Sequence, residues 1–134
     1  FMLGEEYRPA PYTKEFVEST LKRLSELGPS KVVLTGVAFD KKQVGSATYD
    51  RLTDKISYAL SDTVDGYFHG TGDVFASALL GAYLNGLTLA ESARIAVDYT
   101  HGCIERTKEA ETDLRYGVDF EHGIPDLLRQ TGII

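Results

Sequence analysis

Phe68-His69-Gly70-Thr71-Gly72-Asp73-Val74-Phe75-Ala76 carries a small, flexible loop straight into an apolar run, Val74 to Leu84, whose pattern predicts a buried helix. A helix that starts this way exposes backbone N–H groups and the positive end of its dipole, an arrangement suited to an anion such as a transferring phosphoryl group. Asp73 falls in the first turn, where a carboxylate can accept a proton from an attacking hydroxyl. Anion hole and adjacent base are the minimum equipment for phosphoryl transfer to an alcohol. Ordinary capping produces the same pattern, since Asp suits the first turn of any helix. Two better-known glycine motifs do not fit. A dinucleotide fingerprint needs Gly where Phe75 stands, and no Gly-Lys-Ser/Thr follows Gly70 as a P-loop requires.

Upstream, Thr13 is a candidate cap for a helix whose apolar positions Phe16, Val17, Leu21, Leu24 and Leu27 recur at helical spacing. Gly28-Pro29 ends it. Lys31-Val32-Val33-Leu34-Thr35-Gly36-Val37 then reads as a strand covered on both faces, as in a parallel sheet, and central to it. The turn after such a strand is where α/β proteins place ligand contacts. Val44–Tyr49 and Lys55–Leu60, joined by Asp50 to Asp54, read as an antiparallel hairpin. Downstream, Asn85-Gly86 ends the long helix, and Thr88 with Glu91 forms a capping box for the next. That helix carries Ala93, Ala96, Val97, Thr100, Cys103 and Ile104 on one stripe. Asp113 to His122 reads as irregular or briefly extended, and Ile124 to Gln130 as a short last helix. The expected architecture is an incomplete three-layer αβα unit, residues 1–134 forming one segment with no internal boundary. Helices from Thr13–Leu27 and Val74–Asn85 are expected to flank the strand Val32 to Thr35.

The 134 residues suffice for a real core, with 43% hydrophobic and 25% charged residues. A net charge of −6 argues against nucleic acid or an anionic membrane as partner. No apolar stretch approaches the roughly 18–20 residues of a membrane span, and no signal-peptide pattern opens the chain. The lone Cys103 excludes an intrachain disulfide and fits a reducing, cytoplasmic setting. The chain starts with Phe1, and its first helix–strand pair lacks a preceding strand. The expectation is therefore part of a longer protein, cut within a βαβ unit.

The remaining chemistry-bearing residues carry structural expectations. His69, His101 and His122 lack metal-ligand spacing, although His101 and Glu105 are i,i+4 neighbours. Glu105, Glu109, Glu111 and Asp113 read as a solvated face, and Cys103 as a small core residue. Ser77 is not in a Gly-x-Ser-x-Gly elbow. Tyr83 and Tyr99 read as core or interface aromatics.

Taken in order, the helix, the strand Lys31 to Gly36, the hairpin and Val64-Asp65-Gly66-Tyr67-Phe68-His69-Gly70-Thr71-Gly72-Asp73 resemble the C-terminal half of pyridoxal (pyridoxine/pyridoxamine) kinases, members of the ribokinase-like superfamily. The likeness runs over almost the whole chain. Arg115-Tyr116-Gly117-Val118-Asp119-Phe120-Glu121 is similar to the closing segment of bacterial members.

The resemblance implies ATP-dependent, Mg2+-assisted phosphorylation of the 5′-hydroxymethyl group of pyridoxal, pyridoxine or pyridoxamine. It makes Asp73 the catalytic base and Gly70, Thr71 and Gly72 the anion hole for the γ-phosphate. It makes Thr35, Gly36 and Val64 nucleotide-contacting positions. The family's metal-linked Asn-x-x-Glu motif and most of its vitamin pocket are expected upstream of Phe1. The resemblance also implies a homodimeric full-length protein. A fragment with an open sheet edge and an apolar start, Phe1-Met2-Leu3, is expected to self-associate. Two alternatives stay open: a hydroxymethylpyrimidine (phosphate) kinase, and a non-catalytic α/β binding module.

Overall fold

A computed structural model describes residues 2–111 and 113–134, so Phe1, the first residue of the expected apolar start, lies outside the described residues. The chain forms two compact units, Phe1–Thr63 and Val64–Ile134.

In the first unit, helix α1 (Lys14–Glu26) begins where Thr13 accepts a hydrogen bond from the Phe16 N–H at 3.1 Å. Strands β1 (Lys31–Val37), β2 (Gln43–Asp50) and β3 (Lys55–Asp62) form an antiparallel sheet in the order β1-β2-β3. The β2–β3 hairpin spans the expected connector, with Asp50 opposite Lys55. The register aligns Val32 with Tyr49, Leu34 with Ala47, Tyr49 with Ile56 and Ala47 with Tyr58. Period-2 alternation therefore puts these six side chains on one face, where they pack with Val17 and Leu21 of α1. Val17 and Leu21 are fully buried, each contributing about 1.5–3 kcal/mol by leaving water.

The sheet departs from the expectation for β1. Its parallel partner is not found among the described residues: β1 pairs antiparallel with β2, and β2 is the central strand. Consecutive burial runs through Ser46, Ala47, Thr48 and Tyr49 of β2, whereas Val33 and Leu34 of β1 are only half-buried. A β-branched apolar run reports burial, which is why it carries no information on strand direction or on which strand is central.

In the second unit, helix α2 (Thr71–Leu84) packs against α3 (Leu89–Ala110). Helix α2 starts three residues before Val74, because Gly70 in the left-handed conformation (φ 82°) closes the loop there. It buries Phe75, Ala78 and Ala82 but exposes Leu80, Tyr83 and Leu84, so it is not the fully buried helix its composition implies. Gly86 (φ 92°) turns the chain towards α3. The expected α3 stripe is buried at Ala93, Ala96, Val97 and Cys103, and half-buried at Thr100 and Ile104. From Asp113 to His122 the chain is irregular, as read, with 3-10 turns at Leu114–Tyr116 and Glu121–Gly123 before α4 (Ile124–Gln130). Asp113 caps the first turn by accepting from the Arg115 N–H at 3.0 Å.

The capping box of α3 is complete. Thr88 accepts from the Glu91 N–H at 3.1 Å, and its own N–H donates to the Glu91 carboxylate at 2.8 Å. The Thr88 N–H first, and then the Thr88 side chain, hold the Glu91 carboxyl below the usual carboxylate range. Thr88→Ala is expected to cost about 1 kcal/mol at neutral pH. A depressed folded-state pKa means the carboxylate's contribution is whole above its unfolded value and is lost as pH falls through the folded value. Denaturant melts of wild type and Glu91→Gln at pH 7 and pH 3 should show the gap between the two narrowing in acid.

Candidate functional site

The start of α2 differs from the starts of α1 and α3. Gly70 offers no side-chain cap, and the first helical bond is from the Val74 N–H to the Gly70 carbonyl at 3.0 Å. The N–H groups of Thr71, Gly72 and Asp73 precede that bond and have no acceptor among the described residues. A Cβ added at Gly70 or Gly72 would meet no atom within 4 Å, so there is open space beside the three donors. Asp73 is exposed in the same turn, and its carboxylate has no hydrogen bond or ion pair among the described residues. Three donors and one free acceptor thus share a single helical turn, with the helix dipole favouring an anion there.

Gly66 (φ 129°) and Gly70 bracket the approach to this turn, and the Tyr67 ring meets the His69 ring edge-on at 5.1 Å. Val64 is half-buried at the start of the same unit. Thr35 and Gly36 belong to the first unit. They are exposed at the end of β1, where the register shifts between Thr35 and Val37 and Gly36 takes φ 68°. Gly70, Thr71, Gly72 and Asp73 therefore stand together.

His101 lies 3.7 Å from Glu105, and among the described residues no group of three or more His, Cys, Asp or Glu side chains could hold a metal ion. Cys103 is fully buried, and burial pushes its thiol up, which fits a core residue and not a nucleophile. Glu105, Glu109, Glu111 and Asp113 are exposed. No helix among the described residues is long and apolar enough to cross a membrane.

Three side chains of α3 that the sequence did not single out for function hold the segment following Gly117. The Tyr99 hydroxyl donates to the Phe120 carbonyl at 2.6 Å. Arg106 Nη2 donates to the Asp119 carbonyl at 3.2 Å, and Thr107 Oγ1 accepts from the Asp119 N–H at 2.7 Å. Burial first, then the neighbouring Cys103, pushes the Tyr99 hydroxyl up to about 12, so it stays a donor. The spacing of Tyr99, Cys103 and Arg106 on one helical stripe was the available signal; their targets on a later segment were not.

The likeness to solved structures shows a piece of a ribokinase-like fold. It superposes with a TM-score of 0.82 on a protein from Bacteroides thetaiotaomicron assigned as a phosphomethylpyrimidine kinase, at 26% identity, over 87% of this chain and 40% of that one. A second crystal form of that kind from the same organism, containing pyridoxal, matches with a TM-score of 0.81 at 26% identity, over 89% and 42% of the two chains. Pyridoxal kinase from Lactobacillus plantarum shares the fold with a TM-score of 0.82 at 24% identity, over 96% and 45%. The chain belongs to the phosphomethylpyrimidine kinase family, whose model matches residues 4–117. It spans less than half the length of the solved structures it resembles. Comparison with curated proteins gives no match.

Proposed function

We propose that this chain carries the phosphate-binding loop and the base of a kinase that uses ATP to phosphorylate a hydroxymethyl group on an aromatic nitrogen heterocycle. The observation that carries this reading is the first turn of α2, where the N–H groups of Thr71, Gly72 and Asp73 are unpaired beside a free Asp73 carboxylate. In this reading the acceptor oxygen forms a bond to the γ-phosphorus, and the bond from that phosphorus to the bridging oxygen breaks to release ADP. The hydroxyl proton passes to Asp73, while Gly70, Thr71 and Gly72 direct backbone donors at the transferring group. Thr35, Gly36 and Val64 are assigned to the nucleotide by the resemblance. Members of the family imply Mg2+ as well; the described residues do not offer it a ligand cluster, so no step is routed through it.

The acceptor is proposed as a B6 vitamer, with hydroxymethylpyrimidine or its phosphate as an equal second reading. The first is supported by the neighbour crystallised with pyridoxal, the second by the family's own description. The test is to supply the whole native protein with ATP, Mg2+ and either pyridoxal or hydroxymethylpyrimidine, and to quantify the phosphorylated product. Transfer to one or both is expected; transfer to neither would overturn the reading. The coverage of 40–45% of the neighbouring chains supports a further proposal, that the acceptor pocket and metal ligands come from outside this segment. Residues 1–134 purified alone are then expected to give no measurable turnover of pyridoxal, because phosphoryl transfer depends on complete positioning.

A further inference from the structure

Helix α2 is apolar on two opposite faces. Phe75, Ala78 and Ala82 are buried. At about 3.6 residues per turn, Ser77, Leu80 and Leu84 fall on the other side of the helix, with Tyr83 flanking them. Leu80 is 54% exposed and Leu84 74%, although each carries a full-sized apolar side chain. The neighbouring helices are built differently. The exposed side of α1 carries Lys22 and Glu26, and that of α3 carries Asp98, Glu105 and Lys108. After Asp73 in its first turn, α2 has no charged residue at all. A helix that is apolar all round belongs in an interior, so the composition of α2 calls for a cover over Leu80 and Leu84.

That face leads to the candidate site. Ser77 follows Asp73 by about one turn, Leu80 by two and Leu84 by three, so Asp73 heads the same line. A cover over Leu80 and Leu84 therefore runs along α2 towards the proposed base. The solved structures supply polypeptide for it: this chain superposes on 40–45% of theirs, so more than half of each neighbour folds outside the matched part. A second copy of this segment would set another α2 against this one and add no residue that the segment lacks.

We propose that the Ser77, Leu80 and Leu84 face of α2 is the seat on which the remainder of the same kinase domain docks through an apolar surface, and that this contact brings the acceptor-holding part beside Asp73. The second clause rests on the reading of Asp73 as the base of a kinase; the docking does not.

The test is maleimide labelling of the whole native protein, with the labelled sites located by peptide mass. Ser77→Cys and Leu84→Cys place a thiol on the face, and Glu109→Cys places one on the exposed, charged side of α3. Each native rate is divided by the rate in denaturant. The two face thiols are expected to react at least about tenfold more slowly than the Glu109→Cys thiol, because the reagent reaches them only when the contact opens. Dilution should leave that protection unchanged. The fully buried Cys103 reports unfolding in the same digest, and Ser77→Cys exchanges a single atom, so it keeps the fold. Face thiols that react as fast as the Glu109→Cys thiol, with Cys103 still protected, would show a bare face and overturn the proposal. Protection that disappears on dilution would overturn it too, by assigning the face to a second copy. If Leu84→Cys is shielded and Ser77→Cys is not, the cover stops short of Asp73 and the acceptor clause falls. Labelling needs neither nucleotide nor turnover, so a protein that shields both thiols yet transfers no phosphate loses the kinase reading and keeps the docking face.

Discussion

Asp73→Asn is expected to lower kcat on the order of 10²–10⁴-fold, the usual worth of a positioned general base. The substitution keeps the size of the side chain and removes only its capacity to take a proton at neutral pH. The phosphate donors are backbone N–H groups, which the exchange leaves in place. Nucleotide affinity should therefore stay close to wild type, or tighten slightly, because a carboxylate beside bound phosphates repels them. Steady-state kinetics of the whole native protein, with ATP and acceptor varied separately, resolve the two effects. Asp65→Asn is the matched control: Asp65 is exposed in the approach segment and has no role in the proposed chemistry. Equal kcat for wild type and Asp73→Asn would eliminate Asp73 as the base. A loss confined to the KM for ATP would instead make it a binding residue.

The parts of this molecule that were legible in the sequence are those written in local chemistry. Thr13 and the Thr88–Glu91 pair announce their helices because a side-chain oxygen three residues from an orphan N–H can pair with it regardless of the rest of the fold. Ile56 and Tyr58 alternate with Lys55 and Ser57, and their strand forms as read. The start of α2 was harder to place. Thr71 and Gly72 are weak helix formers, and the boundary is set by the positive φ of Gly70, which composition does not display. Within the irregular stretch, the turns at Leu114–Tyr116 and Glu121–Gly123 were not separately legible for a related reason: one is capped by Asp113, but the other depends on α3 side chains far away in sequence. Asp73 and its glycines could be singled out because loop, base and helix are contiguous. Tyr99, Arg106 and Thr107 could not, since their partners lie more than ten residues on and are backbone carbonyls and an N–H that no residue type betrays.

The same distinction governs Gly45, whose substitution is expected to have the largest effect on stability. Gly45 is in β2, the central strand, between Val37 on one side and Leu60 on the other. A Cβ added there would fall inside the Ala59 carbonyl oxygen and within 2.9 Å of both the Ala59 carbonyl carbon and the Leu60 Cα. All three are backbone atoms of a paired strand, so no rotamer change relieves the overlap; β3 must move away from β2 or lose ladder bonds. Gly45→Ala is therefore expected to destabilise the protein by about 3 kcal/mol or more, the upper end of the overpacking range. Gly36→Ala is the informative comparison. Its added Cβ would meet no atom within 4 Å, so only the strain of a positive φ remains, and the cost should be about 1–2 kcal/mol. Denaturant unfolding of both variants, read by far-UV dichroism, measures the difference. Gly45 also opposes Val37, where β1 breaks register after Thr35. If Gly45→Ala unfolds at the wild-type denaturant midpoint, the β2–β3 spacing at this position is looser than the structure shows, and the sheet has room for a side chain beside the Thr35–Val37 bulge.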